Sequence, residues 1–177
     1  MNKSFLLLIF IMSFTSFFSC TTLFQEKSMN SNAINFNEKL MNTDFFSDND
    51  SFELSKEIQN HDFTILNFWF PSCSPCVEEI PELNNFYIKN KKTVSVLGIQ
   101  LIGLDSQKEG EKFLIKYGVE YPSIADSEGK LTVKYLVNVF PTTIFINNDG
   151  EIFRTWEGMI TQSNMQQILN DQFSGNK

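Results

Sequence analysis

The chain of 177 residues has room for one domain with a sizeable core plus appended segments, and its 42% hydrophobic content is ordinary for a globular fold. With 14 Lys and Arg against 21 Asp and Glu the net charge is -7, which argues against an electrostatic footprint for nucleic acid or for anionic lipid. The 19 Phe residues are many, and several crowd the N-terminus, so part of the apolar total belongs to targeting rather than to the core.

The first stretch, "MNKSFLLLIFIMSFTSFFSC", carries one charge, Lys3, ahead of an apolar run over 5–18. That run is too short for a comfortable helical membrane span and suits the core of an export signal, taken here as 1–19. It ends at Ser19-Cys20, a small residue followed by cysteine, the pattern at which lipoprotein signals are cleaved and the new N-terminal Cys receives lipid. Phe18 is bulkier than the small residue usual there, which makes this a relaxed version of the pattern. An uncleaved anchor and ordinary signal cleavage are the alternatives, and all three readings place the folded part outside the cytoplasm. Residues 20–43 turn to Ser, Asn, Glu and Lys without sustained periodicity, as expected of a lipidated, flexible tether, leaving 44–177 as the domain.

"FTILNFWF", 63–70, is a continuous aromatic and β-branched run bounded by Asp62 and Pro71, the pattern of a central strand buried on both faces. Val77, Ile80, Leu83 and Tyr87 then recur at helical spacing to about Lys89, with Pro81 an expected kink. A second strand follows over 93–101, and strand, helix, strand implies a right-handed parallel crossover. A helix over 109–117 ended by Gly118, a short extended piece in "YPSIAD" and a short helix over 129–136 come next. "TTIFINNDGEIFRTW" is a hairpin around Asn147-Asn148-Asp149-Gly150, and Met165, Ile168 and Leu169 mark a closing helix to about Phe173. A parallel opening, an antiparallel closing hairpin and a last helix make the thioredoxin arrangement: an α/β fold with a central mixed sheet flanked by helices, an N-terminal extension and a central insertion.

Cys73 and Cys76 sit where the first strand hands over to the first helix. A structural zinc site takes four ligands as a rule, and the exported part offers besides these two only His61. Covalent haem attachment would need His after Cys76, where Val77 stands. A purely structural disulfide would close a loop of two residues and remove little unfolded-state entropy. A redox role fits the position: the strand-to-helix junction offers free N–H groups and a helix dipole that favour a thiolate at Cys73. Cys76, one turn in and more buried, can attack a mixed disulfide at Cys73 and release its partner. Pro75 lacks an N–H and so trims the donors around the sulfurs. Glu79, one turn beyond Cys76, would raise thiol pKa values and carry a proton, or be a solvated helix charge as expected for Glu78 and Glu82.

"NFWFPSCSPCVEEIPEL" resembles the "NFWATWCxPCxxExPxL" signature of TlpA/ResA-like thiol-disulfide oxidoreductases, and the resemblance extends over about 45–173. It implies that Cys73 is the attacking and Cys76 the resolving member of a redox-active disulfide, and that Glu79 is the active-site glutamate. Pro141 matches the family's cis-proline facing the disulfide. The backbone at Phe140 would pair with a substrate chain, with Ser74 and Pro75 on the same substrate-facing side. Two departures stand out: Ser72, preceded by Pro71, replaces the family's Trp before the first cysteine, and Val139 stands where relatives often have Gly.

The resemblance implies an exported, membrane-tethered enzyme that reduces client-protein disulfides, in cytochrome c maturation or redox homeostasis. It would need no external cofactor and no metal, and would be supplied with electrons by a membrane carrier of the CcdA or DsbD kind. The rivals are a disulfide-forming oxidant on the same fold and a thioredoxin-like binding module whose cysteines are ligands or a staple.

Overall fold

The computed structural model describes residues 31–43 and 50–175. In chain order the elements are β1 (Ser31–Asn32), β2 (Asn37–Lys39), β3 (Ser51–Glu53), α1 (Leu54–Asn60), β4 (Phe63–Trp69), α2 (Ser74–Asn90) and β5 (Val94–Leu101). They continue with α3 (Gln107–Lys116), β6 (Ser123–Asp126), α4 (Lys130–Lys134), β7 (Thr142–Asn147), β8 (Glu151–Glu157) and α5 (Gln162–Gly175). A six-stranded sheet runs in the order β1-β8-β7-β4-β5-β6, and β2 and β3 form a separate pair.

All seven residues of β4 are buried, with β5 parallel on one side and β7 antiparallel on the other. Side chains alternate across the sheet: Phe63, Ile65 and Trp69 belong to the core beneath α2 and α5, while Leu66 and Phe68 belong to the core on the opposite face. Asn67 falls in the α2-facing set, a polar residue inside an apolar run. Gly98 of β5 permits a close approach there: a Cβ at that position would meet Ser123 Oγ at 2.8 Å and both Trp69 and Tyr121 at 3.1 Å.

The expected extended piece "YPSIAD" contributes a full edge strand. β6 pairs parallel with β5 from Gly98↔Ser123 to Leu101↔Asp126, which adds a second parallel crossover through α3. The hairpin forms as expected. Gly150 takes φ +83°, its N–H donates to Asn147 O at 3.0 Å, and Asn147 Oδ1 accepts from Asp149 N and Glu151 N.

The tether expected over 20–43 does not extend through its described part. Ser31 and Asn32 pair with Ile152 and Glu151, Leu40 bridges to Ile124, and Asn42 exchanges hydrogen bonds with Tyr121 O and Ser123 N. Phe36 and Leu40 are buried in the second core, the Phe36 ring stacking on Phe52 at 6.1 Å. Isolated apolar residues in a polar stretch lack periodicity, but each finds a pocket, and the backbone between them finds sheet edges. Residues 31–42 thus pack against both the sheet and the second core. The expected signal over 1–19 and Cys20 lie outside the described residues. Among the described residues no helix is long and apolar enough to cross a membrane.

Phe36→Ala is expected to lower stability by about 3 kcal/mol in urea unfolding, as for a buried ring. A residue in a solvated linker would change it by less than about 0.5 kcal/mol.

Candidate active site

The chain leaves β4 at Trp69 and reverses through a turn closed by the Cys73 N–H donating to Phe70 O at 3.1 Å. Pro71 occupies the second position of that turn, where its fixed φ is pre-set. Cys73 is the N-cap of α2, with extended backbone at φ -81° and ψ 103°, and its Sγ accepts from Cys76 N at 3.3 Å. The two cysteines form a disulfide with Cα atoms 5.2 Å apart. Cys73 retains 7% exposure and Cys76 none, so an incoming sulfur can reach only the first. Ser74 and Pro75, between them, are exposed, and Pro75 lies in the first turn of the helix, where its missing N–H leaves no helical bond unmade.

Glu79 is fully buried one helical turn beyond Cys76. Its Oε1 accepts from Asn67 Nδ2 at 2.7 Å and its Oε2 from Ile160 N at 3.0 Å. Asn67 is itself tied by the same Nδ2 to Thr143 Oγ1 of β7 at 3.1 Å. Burial raises the carboxyl pKa to about 7, against the opposing pull of the Asn67 and Ile160 hydrogen bonds. Tyr121, also buried and close enough to sense that carboxylate, has its phenol pushed well above the usual range, chiefly by desolvation. The carboxyl therefore changes protonation near neutral pH inside a low-dielectric pocket, where it can give or take the proton of a neighbouring thiol.

The Phe140-Pro141 peptide is cis. The Phe140 ring meets Phe70 edge-on at 5.2 Å, which brings the loop ahead of β7 beside the turn that carries Cys73. Phe140 is partly exposed and packs against the core containing both cysteines, whereas Pro141 is buried and its carbonyl accepts from Gly158 N at 2.8 Å. Val139 is 42% exposed at the rim. The structure thus brings Cys73, Cys76, Glu79 and the Phe140-Pro141 loop to one end of the sheet, with Ser74 and Pro75 on the open side.

Sequence reasoning missed the partners of Glu79. Asn67 signals itself as the one amide in "FTILNFWF", and a polar side chain at a core position is the informative kind of exception. The Ile160 N–H, 81 residues from Glu79, leaves no sequence signal. Also missed was Asp105, from the loop after β5: its Oδ2 accepts from both Ser72 N, at 2.9 Å, and Ser72 Oγ, at 2.7 Å.

Residues 29–154 match the AhpC/TSA family. The thiol-disulfide oxidoreductase ResA of Bacillus thuringiensis subsp. konkukian is 30% identical over 121 residues, covering 64% of this chain and 68% of the relative. The crystal structure of StoA from Bacillus subtilis superposes with a TM-score of 0.63 at 26% identity, over 76% of this chain and 95% of that one. A thiol:disulfide interchange protein DsbE from Chlorobium tepidum, described as putative, gives 0.67 at 24% identity, over 80% and 95% of the two chains.

The burial of Glu79 also acts on stability. Its folded pKa of about 7 lies above the ordinary 4.5, so its contribution is full below pH 4.5 and is lost as pH rises through about 7. In the oxidised protein, where neither cysteine titrates, Glu79→Gln should gain on the parent by roughly 3 kcal/mol between pH 4.5 and 8. Urea unfolding of both proteins across that interval measures the gap, and a constant difference would mean that Glu79 is ionised throughout.

Proposed function

Because this chain belongs to the AhpC/TSA family, as a thiol-disulfide oxidoreductase of thioredoxin fold, we propose that its Cys73–Cys76 pair reduces disulfides in client proteins. The observation that carries the reading is the asymmetry of the pair, with a reachable sulfur at a helix N-cap and a fully buried one a turn below it, next to a buried carboxyl of pKa about 7.

In the reduced enzyme the Cys73 thiolate attacks one sulfur of a client disulfide. A Cys73–client disulfide forms, and the client's other sulfur leaves as a thiolate and takes up a proton. Cys76 then passes its proton to Glu79, and its thiolate attacks Cys73 Sγ. The Cys73–Cys76 disulfide closes, and the second client sulfur departs as a thiolate and takes up the proton that Glu79 releases, so the carboxyl returns to its starting state. Two electrons have moved from enzyme to client, and a second dithiol protein must return them.

Phe140 is the backbone rung for an extended client segment, with Pro141 holding it at the sulfurs and Ser74 and Pro75 forming the facing lip. Export and tethering through lipid on Cys20 belong to the same proposal. So does a membrane electron donor of the CcdA or DsbD kind, because reducing power outside the cytoplasm has to be imported. Apocytochrome c is a client of fitting chemistry.

One observation favours the reverse direction. A helix N-terminus stabilises a thiolate, and stabilising the reduced form raises a dithiol's potential, so placement of Cys73 at the N-cap is also what an oxidant would use. The reduction potential of the pair separates the two. A value near about -270 mV supports a reductant and one near about -120 mV makes the protein an oxidant. Cys76→Ser should accumulate mixed disulfides with clients through Cys73, visible as thiol-sensitive adducts on non-reducing gels. A binding module would form none.

A further inference from the structure

Ser72 stands in the turn between Pro71 and Cys73, and both its N–H and its hydroxyl donate to one oxygen of Asp105. That oxygen comes from 33 residues further along the chain. The loop that presents it is fixed at each end. Ile102 N donates to Asp126 O at 3.3 Å, and Gly103, at φ +148°, donates to Asp105 O at 3.4 Å. Ser106 opens α3 with a reciprocal capping box to Glu109, bonding Glu109 through both its N–H and its hydroxyl at 2.7 and 2.8 Å. Asp105 is therefore not a free surface acid that happens to lean on Ser72. It is the last residue before a capped helix, aimed at the turn that carries Cys73.

We infer that Asp105 is a positioning residue for Cys73: its carboxylate fixes the turn that delivers the attacking sulfur and sets a negative charge against the Cys73 thiolate, holding the pair toward the reducing end. The inference rests on the reading of Cys73 as the attacking cysteine. Geometry supplies the first half, since a two-point contact to the residue before Cys73 removes the freedom of the turn. Charge supplies the second. Neither the turn at 70–76, nor the loop at 137–141, nor the segment at 158–161 holds an ionisable side chain apart from the cysteines themselves. α2 contributes Glu78, Glu79 and Glu82 and, at its far end, Lys89; β8 carries Arg154 and ends at Glu157; and α3, which follows Asp105, carries Lys108, Glu109, Glu111, Lys112 and Lys116. Of these charges Asp105 is the one held by a two-point contact to the residue before Cys73, so it is the one placed to work against the helix N-terminus. A destabilised thiolate makes the reduced pair give up electrons more readily.

The test uses the full-length reduced protein, with alkylation by iodoacetamide followed against pH and modification at Cys73 read by peptide mass. Asp105→Asn keeps an acceptor for both Ser72 donors and removes the charge. It should raise the alkylation rate below neutral pH about threefold, through a lower Cys73 pKa. Above the Cys73 pKa, where the reduced form is the thiolate, the same threefold factor acts on the dithiol–disulfide equilibrium and raises the reduction potential by about 14 mV. Ser72→Ala keeps the carboxylate and the backbone bond, so its alkylation profile should stay with the parent, while Asp105→Ala should slow mixed-disulfide formation with a protein disulfide. High salt should shrink the Asp105→Asn effect, because the pair lies near the surface. The inference is overturned if Asp105→Asn matches the parent in both profile and potential, or if Ser72→Ala shifts as far as Asp105→Asn. Should the parent's Cys73 not be the thiol that alkylates first, the proposed function itself fails, and the Asp105 comparison is not needed to see it.

Discussion

The enclosure of β4 is the constraint from which the rest follows. With a ladder on each side and a packed core on each face, this strand cannot slide or tilt, because a one-residue slip would turn Asn67 into the wrong core and Leu66 toward α2. Its end is therefore a fixed point, and the turn at Pro71 and the N-cap of α2 inherit that fixity. Cys73 is held at the mouth of the helix because the strand behind it has no alternative register. The same strand supplies Asn67, so the attachment of the buried carboxyl and the placement of the sulfurs have one origin.

Two buried acids in this fold are held in different ways. Asp126, at the end of β6, accepts from Leu131 N, Thr132 N and Thr132 Oγ, and so ties the edge strand to the first turn of α4. Glu79 accepts from Asn67 and Ile160 and lies close enough to the buried Tyr121 to act on its phenol. Desolvation outweighs its hydrogen bonds, leaving the proton affinity near neutrality. Burial is what leaves it able to exchange a proton, at some expense in stability above neutral pH.

Elements whose signal is local were legible in the sequence. β4, β5, α2 and the β7–β8 hairpin announce themselves through apolar runs, helical spacing and turn residues, and the cysteine pair falls at the junction their order dictates. What could not be read depends on partners far along the chain. The stretch over 31–43 looks like a linker because its pairing partners are Glu151, Ile124 and Tyr121, and its two buried apolar residues, Phe36 and Leu40, set no helical or strand period among mostly polar neighbours. β6 looked like a fragment because four residues are too few to show alternation, and only the crossover through α3 lays them beside β5. At the site, the cysteines and Glu79 were legible as residue types at a spacing. Ile160 N and Asp105 were not, since a backbone N–H and one Asp among many carry no mark of what they face.

The dipeptide between the cysteines is therefore a poor guide to what this site can do. Ser74 and Pro75 are exposed and uncharged, and their effect is limited to the donors they present or withhold. Stronger influences on the sulfurs come from three separate places: the peptide dipoles of α2 favouring a Cys73 thiolate, the Glu79 carboxyl beneath Cys76, and Asp105 bracing Ser72 from the loop after β5. These act on different sulfurs and in opposite senses, so the direction of electron flow is a balance among elements that the fold assembles from distant segments. A chain with the same Cys-Ser-Pro-Cys sequence but a neutral residue at the position of Asp105 would keep the chemistry and move that balance toward oxidation.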